Sequence, residues 1–564
     1  MGNGHDVHNQ IAHYRLIYIF RFLLASLNIE GILQESTMYR RRERLNKMTD
    51  GIGLEDVYGA TIERIKAQGG DKSRLGMGAL MWICYAVRPL EPDELCHALA
   101  IEPGSKNFNP DNAPSISTLV SCCQGLITVD KKASNVRLMH FTLKEYLSAH
   151  PDIFSRPHST IAEICLTYLN SKEVKAILFD SYILTWNIPF LEYCSLNWGV
   201  HAKKELSDCA KSLSLELLKE YNGHVSGGIL LLKEHEYLEN IYTNSPLSGL
   251  HCASLFGIVE VVAALIELEC CGINEGDYMG YTPFAWAARN GHEEVVKILL
   301  EREEVNPDQP DEIGRTPLSH AAMYGHDGVV KILLEREEAN PDQPDEGGGT
   351  PLSYAAWHGH EGVLQILLGC EEVNPDKPDR AGITPLSYAA WHGHEGVVKV
   401  LLEREEVNPC KPDNHGRTPL SYAAQSRSEG VVNILLRLEG VNPDQPDNNG
   451  RTPLSYAVGY KHEGVVEILL GREEVNPDQP DNSGITPLSY AARWGYERIV
   501  KILLEWEEVN PSRPDNDGKT PLMYATRCIN ERIIALFQSR SGSPQRNPKR
   551  KRPHLVETTT IPPS

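Results

Sequence analysis

The sequence predicts a mainly α chain: a small helical unit carrying one β-hairpin, then a helical connector, then a long solenoid of repeated helix pairs. Three observations carry this prediction. First, the tripeptide Thr-Pro-Leu recurs with its Thr at Thr316, Thr350, Thr384, Thr418, Thr452, Thr486 and Thr520, a constant interval of 34 residues. Thr282-Pro283-Phe284 lies one period earlier, and a degenerate copy, Ser248-Gly249-Leu250, begins the series. Second, each interval holds two short apolar patterns at helical spacing. Third, residues 72–149 alternate helix-like and strand-like patterns around a single polar turn. A period held without slippage is the mark of stacked, structurally equivalent units, whose use is to hold something and not to react with it.

Residues 450–483 represent one unit. Thr452 is placed to cap a helix, and Pro453 suits its first turn, where no backbone donor is lost. Leu454, Ala457 and Val458 form a narrow apolar face, and Gly459 ends the helix. A second helix is expected from about His462, with Val465, Val466, Ile468, Leu469 and Leu470 as its apolar stripe and Asn476-Pro477 as its stop. Asp478 to Gly484 is turn chemistry leading into the next unit. One unit cannot bury its own apolar face, so stability comes from contacts between neighbours. Arg527, Asn530, Glu531 and Arg532 break the pattern in the last unit, as a polar cap would.

These TPLxxAA and GHxxVVKxLL signatures resemble the ankyrin repeat, over about residues 245–538. Two features depart from that family. The usual period is about 33 residues, so each unit carries one more, assigned to the VNPDQPD loop, and Glu mostly replaces the glycine that commonly follows the second helix, as at Glu405-Glu406.

In the first half, Leu75–Ala86, Pro92–Ala100 and Ser115–Cys123 read as helices, Leu126–Val129 and Val136–His140 as two strands, and Thr142–Ala149 as a further helix. Three small helices with a hairpin make a winged helix. WICYAVRPLEPDELCHALAIE, VSCCQGLITVD and VRLMHFTLKEYL resemble the winged-helix region that follows the NACHT nucleotide-binding domain in fungal NLR-like (STAND) proteins, also described as the GPI inositol-deacylase winged helix. FRFLLASLNIEG, from Arg21, resembles the helical end of the NACHT domain, and PFLEYCSLNWGVHAK, from Pro189, the connector before the repeats. The expected organisation is therefore a helical NACHT remnant at 1–70, a winged helix at 71–155, a connector at 156–244, about nine ankyrin repeats at 245–538 with the last incomplete, and a disordered tail at 539–564.

No catalytic, cofactor-binding or metal-binding residues are expected. A NACHT ATPase needs a G-x-x-x-x-G-K-[ST] loop to cradle phosphates. The one Gly-Lys-Thr, at Gly518-Lys519-Thr520, has Arg513 where the first glycine belongs. There is no G-x-S-x-G nucleophile elbow. His140 stands where related proteins keep a histidine that in switch ATPases senses nucleotide; read from the residues alone, it is a half-buried histidine ending a strand. The resemblance implies either a scaffold acting without a motor, in an NLR-like sensing or non-self recognition system, or the C-terminal part of a NACHT NTPase. A general cytosolic or nuclear ankyrin adaptor is the other alternative.

The net charge is −21, and the repeats carry much of it. Such a surface repels phosphate backbones, so the partner is expected to be a protein, with no nucleic acid, membrane or small-molecule substrate. The presumed second and third helices of the winged helix, which would read DNA, contain no Arg or Lys. Thirteen cysteines without a CxxC pair read as reduced thiols. The apolar stretch Leu16–Leu27 is too short for a membrane span and is interrupted by Arg21. Lys549, Arg550, Lys551 and Arg552 resemble a nuclear-localisation signal, so the expected location is cytoplasmic with a nuclear alternative.

The partner-binding groove is expected along the first helices. Its candidate residues are Trp286, His320, Tyr354, Tyr388, Tyr422, Tyr456 and Tyr490, with Tyr524 in the last unit, two positions after each Leu or Phe of the tripeptide. Trp357, His358, Trp391, His392, Tyr460 and Trp494 occupy the next groove-side positions and vary between units. Aromatic side chains give large contact area at low entropic cost. Two readings of the recurring tyrosines stay open: recognition, or stacking between units.

Overall fold

The computed structural model describes residues 37–40 and 54–541, apart from 103–104, 106–107, 178–187, 235–246, 269–271 and 337. The stretches from Arg21 and Leu16 and the basic cluster Lys549–Arg552 lie outside the described residues. The described chain divides into two compact units, residues 1–273 and 274–564.

In the first unit, helices α1 (Leu54–Ala67), α2 (Gly70–Tyr85), α3 (Pro92–Ala100) and α4 (Ile116–Cys122) precede strands β1 (Ile127–Asp130) and β2 (Asn135–Leu138). The strands pair antiparallel, Ile127 opposite Leu138 and Asp130 opposite Asn135, and helix α5 (Phe141–Ala149) follows. This is the expected winged helix, with element ends shifted by a few residues. Each junction has a local cause. Pro92 opens α3 behind a capping box, in which Glu91 and Glu94 satisfy each other's backbone amides. Buried Glu94 also receives both guanidinium nitrogens of Arg88, at 2.6 and 2.8 Å. In the hairpin turn, Asp130 Oδ1 accepts the amides of Lys132 and Ala133. His140 caps α5, with its Nδ1 2.8 Å from the Thr142 hydroxyl, so it has a local structural task.

The connector consists of α6 (Pro157–Leu169), α7 (Lys172–Lys175), α8 (Leu191–Lys204), α9 (Asp208–Leu218) and α10 (Val225–Glu234). Trp82 of α2 meets Phe190 and Tyr193 at 5.6 Å, edge to face, which joins the winged helix to α8. The degenerate repeat, α11 (Gly249–Phe256) and α12 (Val259–Glu267), belongs to this unit and not to the stack that follows. Its Phe256 packs on Trp198 so closely to α8 that a Cβ on Gly199 would lie 2.1 Å from the Phe256 ring.

Among its described residues the second unit holds eight helix pairs in register, from Pro283–Arg289 with Glu293–Leu300 to Pro521–Arg527 with Glu531–Ser541. In every pair the first-helix Thr accepts the amide three residues on, as Thr452 does from Ser455, and Pro follows at the first helical position. Leu454, Ala457, Val465, Val466 and Leu469 are wholly buried, which is the core of one repeat. The second helix ends at Leu470 and not at Asn476-Pro477. Gly471 there, and Glu403 or Glu505 in other repeats, remain right-handed, so no glycine is required after the second helix. Asn476 instead shapes the loop, its Oδ1 accepting the Asp478 amide at 3.0 Å.

Neighbouring repeats are tied at three levels. Turn backbones bond to one another, as Asn482 N to Asn449 O at 2.9 Å, and Asn448, Asn482 and Asn516 each donate a side-chain amide to the residue one period earlier. Loop carboxylates meet cations of the next repeat, Asp342 with Lys377 and Asp376 with Lys411. His360 and His394 donate from Nε2 to the carbonyls of Met323 and Trp357. The last repeat departs from a purely polar cap: Arg532 pairs with Glu497, while Leu522, Met523 and Ile529 are exposed.

Candidate functional site

The recurring groove-side aromatic of each repeat meets an aspartate nine residues before it. Asp413 is representative. Its Oδ1 accepts the amides of His415 and Arg417, both at 2.8 Å. Its Oδ2 accepts the Tyr422 hydroxyl at 2.7 Å and the Arg417 guanidinium at 2.8 Å. Burial alone would raise the Asp413 carboxyl; the Tyr422 hydroxyl, the Arg417 amide and the Arg417 charge outweigh it and hold it below the ordinary carboxylate value. The same bond joins Tyr354 to Asp345, Tyr388 to Asp379, Tyr456 to Asp447, Tyr490 to Asp481 and Tyr524 to Asp515. Trp286 uses its indole Nε1 on Asp277 at 2.9 Å, and His320 its Nε2 on Asp311 at 3.1 Å. Burial lowers the His320 pKa against the opposing pull of Asp311, so the imidazole is neutral and donates.

This ladder corrects the expected groove. Trp286, His320, Tyr388, Tyr422 and Tyr456 are buried, and Tyr354 and Tyr490 are half-buried. Their polar ends bind the turn of their own repeat and their rings pack within the stack. Sequence reasoning missed the aspartate. Its signal was present, an Asp nine residues before each aromatic with the same period of 34.

The variable positions form the accessible face. Trp357, Tyr460 and Trp494 expose 37%, 53% and 57% of their surface, and Tyr324, one position after Met323, exposes 43%. His358 and His392 are exposed and Trp391 is half-buried. The rings form one patch: Trp357 stacks on His392 at 5.3 Å and on Tyr388 at 4.8 Å, and Trp391 leans on Tyr422 at 5.2 Å. Burial, then the neighbouring imidazoles, lowers the His358 pKa, and the same causes act on His392, so the patch is uncharged at neutral pH. The buried tyrosines thus support the exposed tryptophans from beneath.

The position after the first helix's last turn has positive φ in all eight repeats. Glycine fills it at Gly291, Gly325, Gly359, Gly393 and Gly495, whereas Arg427, Lys461 and Ile529 hold φ of 42°, 63° and 52°. A Cβ at Gly359 would also lie 2.6 Å from the His394 ring. No helix among the described residues is long and apolar enough to cross a membrane.

Fold and surface together define a helical-repeat binding module. The family described as "Ankyrin repeats (3 copies)" matches residues 218–311, 303–379, 364–447, 406–481, 430–515 and 473–545, more than half of the chain. The chain belongs to the ankyrin-repeat family. Residues 63–166 match the family described as "GPI inositol-deacylase, winged helix domain", a span that runs from the last turn of α1 into α6. No curated protein matches the chain.

Proposed function

We propose that the protein is a non-catalytic interaction scaffold whose ankyrin stack recognises a protein partner through the Trp357–Trp391 face. The observation that carries this is the division of labour along the first helices: a recurring aromatic bonded to Asp inside every repeat, and outer positions that vary from repeat to repeat and carry an accessible aromatic in five of the eight, at Tyr324, Trp357, Trp391, Tyr460 and Trp494. Exposed Trp and Tyr on a rigid support are the composition of interface hot spots. The order of winged helix, connector and repeats supports a role in NLR-like sensing or non-self recognition, in the cytoplasm or nucleus.

The test is affinity capture by the full chain, comparing wild type with the Trp357→Ala, Tyr460→Ala double variant. Loss of specific partners with an unchanged urea midpoint is the expected result. Capture that persists in the folded variant removes this face as the binding surface.

A further inference from the structure

The accessible face has a charge opposite to that of the chain. Its three columns are the last positions of the first helices and the residues that follow: the Trp357 column, the His358 column and the positive-φ column. No acid occupies any of these columns in any of the eight repeats, although the chain holds 76 Asp and Glu and carries a net charge of −21. Five cations do: Arg289, Arg427, Lys461, Arg493 and Arg527. Arg427 and Lys461 sit in left-handed backbone where glycine is the unstrained choice. The turn aspartates beneath are already committed to their Tyr, Trp or His partners and to turn amides.

Between the last two repeats the face deepens into a depression of about 740 Å³, lined by Arg493, Trp494, Asn516, Lys519, Tyr524 and Arg527 among others. Arg493 lies 5.7 Å above the Trp494 ring and 5.9 Å from Tyr524, a cation held over aromatic faces. Among the described residues neither Arg493 nor Arg527 has a carboxylate partner. Asp515 is bonded to Tyr524 and to the amides of Asp517 and Lys519, and Asp517 pairs with Lys519. Two guanidiniums one repeat apart, beside an exposed indole, form a receptor for carboxylates next to apolar side chains.

We propose that this face docks an acidic peptide segment of the partner, with its carboxylates at Arg493 and Arg527 and its apolar side chains along Trp494, Trp391 and Trp357. The inference rests on the protein-binding reading above and specifies its chemistry. A nucleic acid fits less well. Its phosphates would meet only five cations spread over eight repeats, too sparse to match the continuous charge of a phosphate backbone. An acidic peptide needs only local charge matching and gains from the tryptophans.

The test is selection of short random displayed peptides on the full-length protein at low salt, with a single-stranded oligonucleotide as a polyanion comparator. The expected pool is enriched in Asp and Glu beside aromatic or aliphatic residues. Its affinity falls about tenfold for the Arg493→Glu, Arg527→Glu variant, which replaces two exposed attractive charges with repulsive ones. Arg493→Gln with Arg527→Gln, checked for an unchanged urea midpoint, separates loss of charge from misfolding. A neutral or basic pool, or an acidic pool indifferent to both arginine variants, overturns the proposal. So does oligonucleotide binding that depends on these arginines and displaces the peptides. A neutral pool that still requires Trp357 leaves the protein-binding reading standing without the acidic chemistry, whereas a pool that requires neither the arginines nor Trp357 and Tyr460 overturns both.

Discussion

Tyr422→Phe separates scaffold from recognition more cleanly than any other single change. The Tyr422 ring is fully buried, and its hydroxyl donates to Asp413 Oδ2 at 2.7 Å. Phenylalanine keeps the ring contacts with Trp391 and the Arg417 guanidinium and removes only that donor. A hydrogen bond to a charged, buried acceptor contributes about 1.5–3 kcal/mol. Asp413 retains two amides and Arg417, so the expected loss is toward the middle of that range, about 2 kcal/mol. With a urea dependence near 3 kcal/mol per M, the midpoint should fall by roughly 0.7 M. The assay is urea unfolding of the full chain followed by far-UV circular dichroism, with partner capture measured in parallel. Tyr460→Phe is the control, because Tyr460 is exposed and its change should stay within about 0.5 kcal/mol. If Tyr422→Phe costs under about 0.5 kcal/mol and abolishes capture, the ladder is a recognition device and the division between inner and outer aromatics is mistaken.

Four further outcomes follow from the same structure. Ile529→Gly should raise stability by about 1 kcal/mol, since a β-branched residue at φ 52° is strained and its side chain is 81% exposed; an unchanged urea midpoint would show that the strain is relieved elsewhere. Gly359→Ala should cost more than about 1 kcal/mol, because it combines positive φ with a Cβ 2.6 Å from the His394 ring, and thermal denaturation reads it directly. Thr452→Ala, which removes the cap on Ser455 N, should cost about 1 kcal/mol by urea unfolding. The fourth concerns pH in the first unit. Burial, then His158 and Lys204, pushes His201 down to about 3, and burial pushes His224 down to about 4. Their unfolded values are near 6.5, so below that pH the unfolded chain takes up protons that the folded chain refuses. Stability is therefore full above about pH 6.5 and should fall by about 4 kcal/mol for the two histidines together by pH 5, read as faster hydrogen exchange in Leu191–Lys204. Exchange independent of pH, after correction for the intrinsic rate, would contradict it.

The repeat was legible because its signals are local. Thr and Pro at a helix start, small residues on one face and a constant period each act within one unit, and Thr452, Pro453 and Ala457 do what their chemistry requires. The winged helix was legible for the same reason, through Pro92 and the Asp130 turn. What escaped was side-chain direction. Tyr422 and Trp391 both lie on a first helix, and sequence spacing placed both in the groove, yet one points at Asp413 and the other lies half-open to solvent. The end of the second helix escaped because Pro477 is a conspicuous stop, whereas the chain turns earlier at Gly471 through bonds that any residue can make. The charge of the face escaped because net charge sums over surfaces that point in different directions.

The positive-φ column connects these points. A stack whose neighbours are tied by backbone turns, asparagine amides, loop ion pairs and histidine–carbonyl bonds has stability distributed over many equivalent links. Such a stack tolerates a locally unfavourable residue at one site without losing register. Glycine is the unstrained residue at Gly393 and Gly495, yet Arg427 and Lys461 lie between them in the same backbone conformation. Each adds a cation to the face that carries the exposed aromatics, and Lys461 sits 5.6 Å from the Tyr496 ring. Arg427→Gly should therefore stabilise the fold, by the same reasoning as Ile529→Gly, while weakening capture of an acidic partner. A scaffold residue would improve both properties or neither. Opposite signs for stability and binding at one position would mark it as a residue retained for recognition.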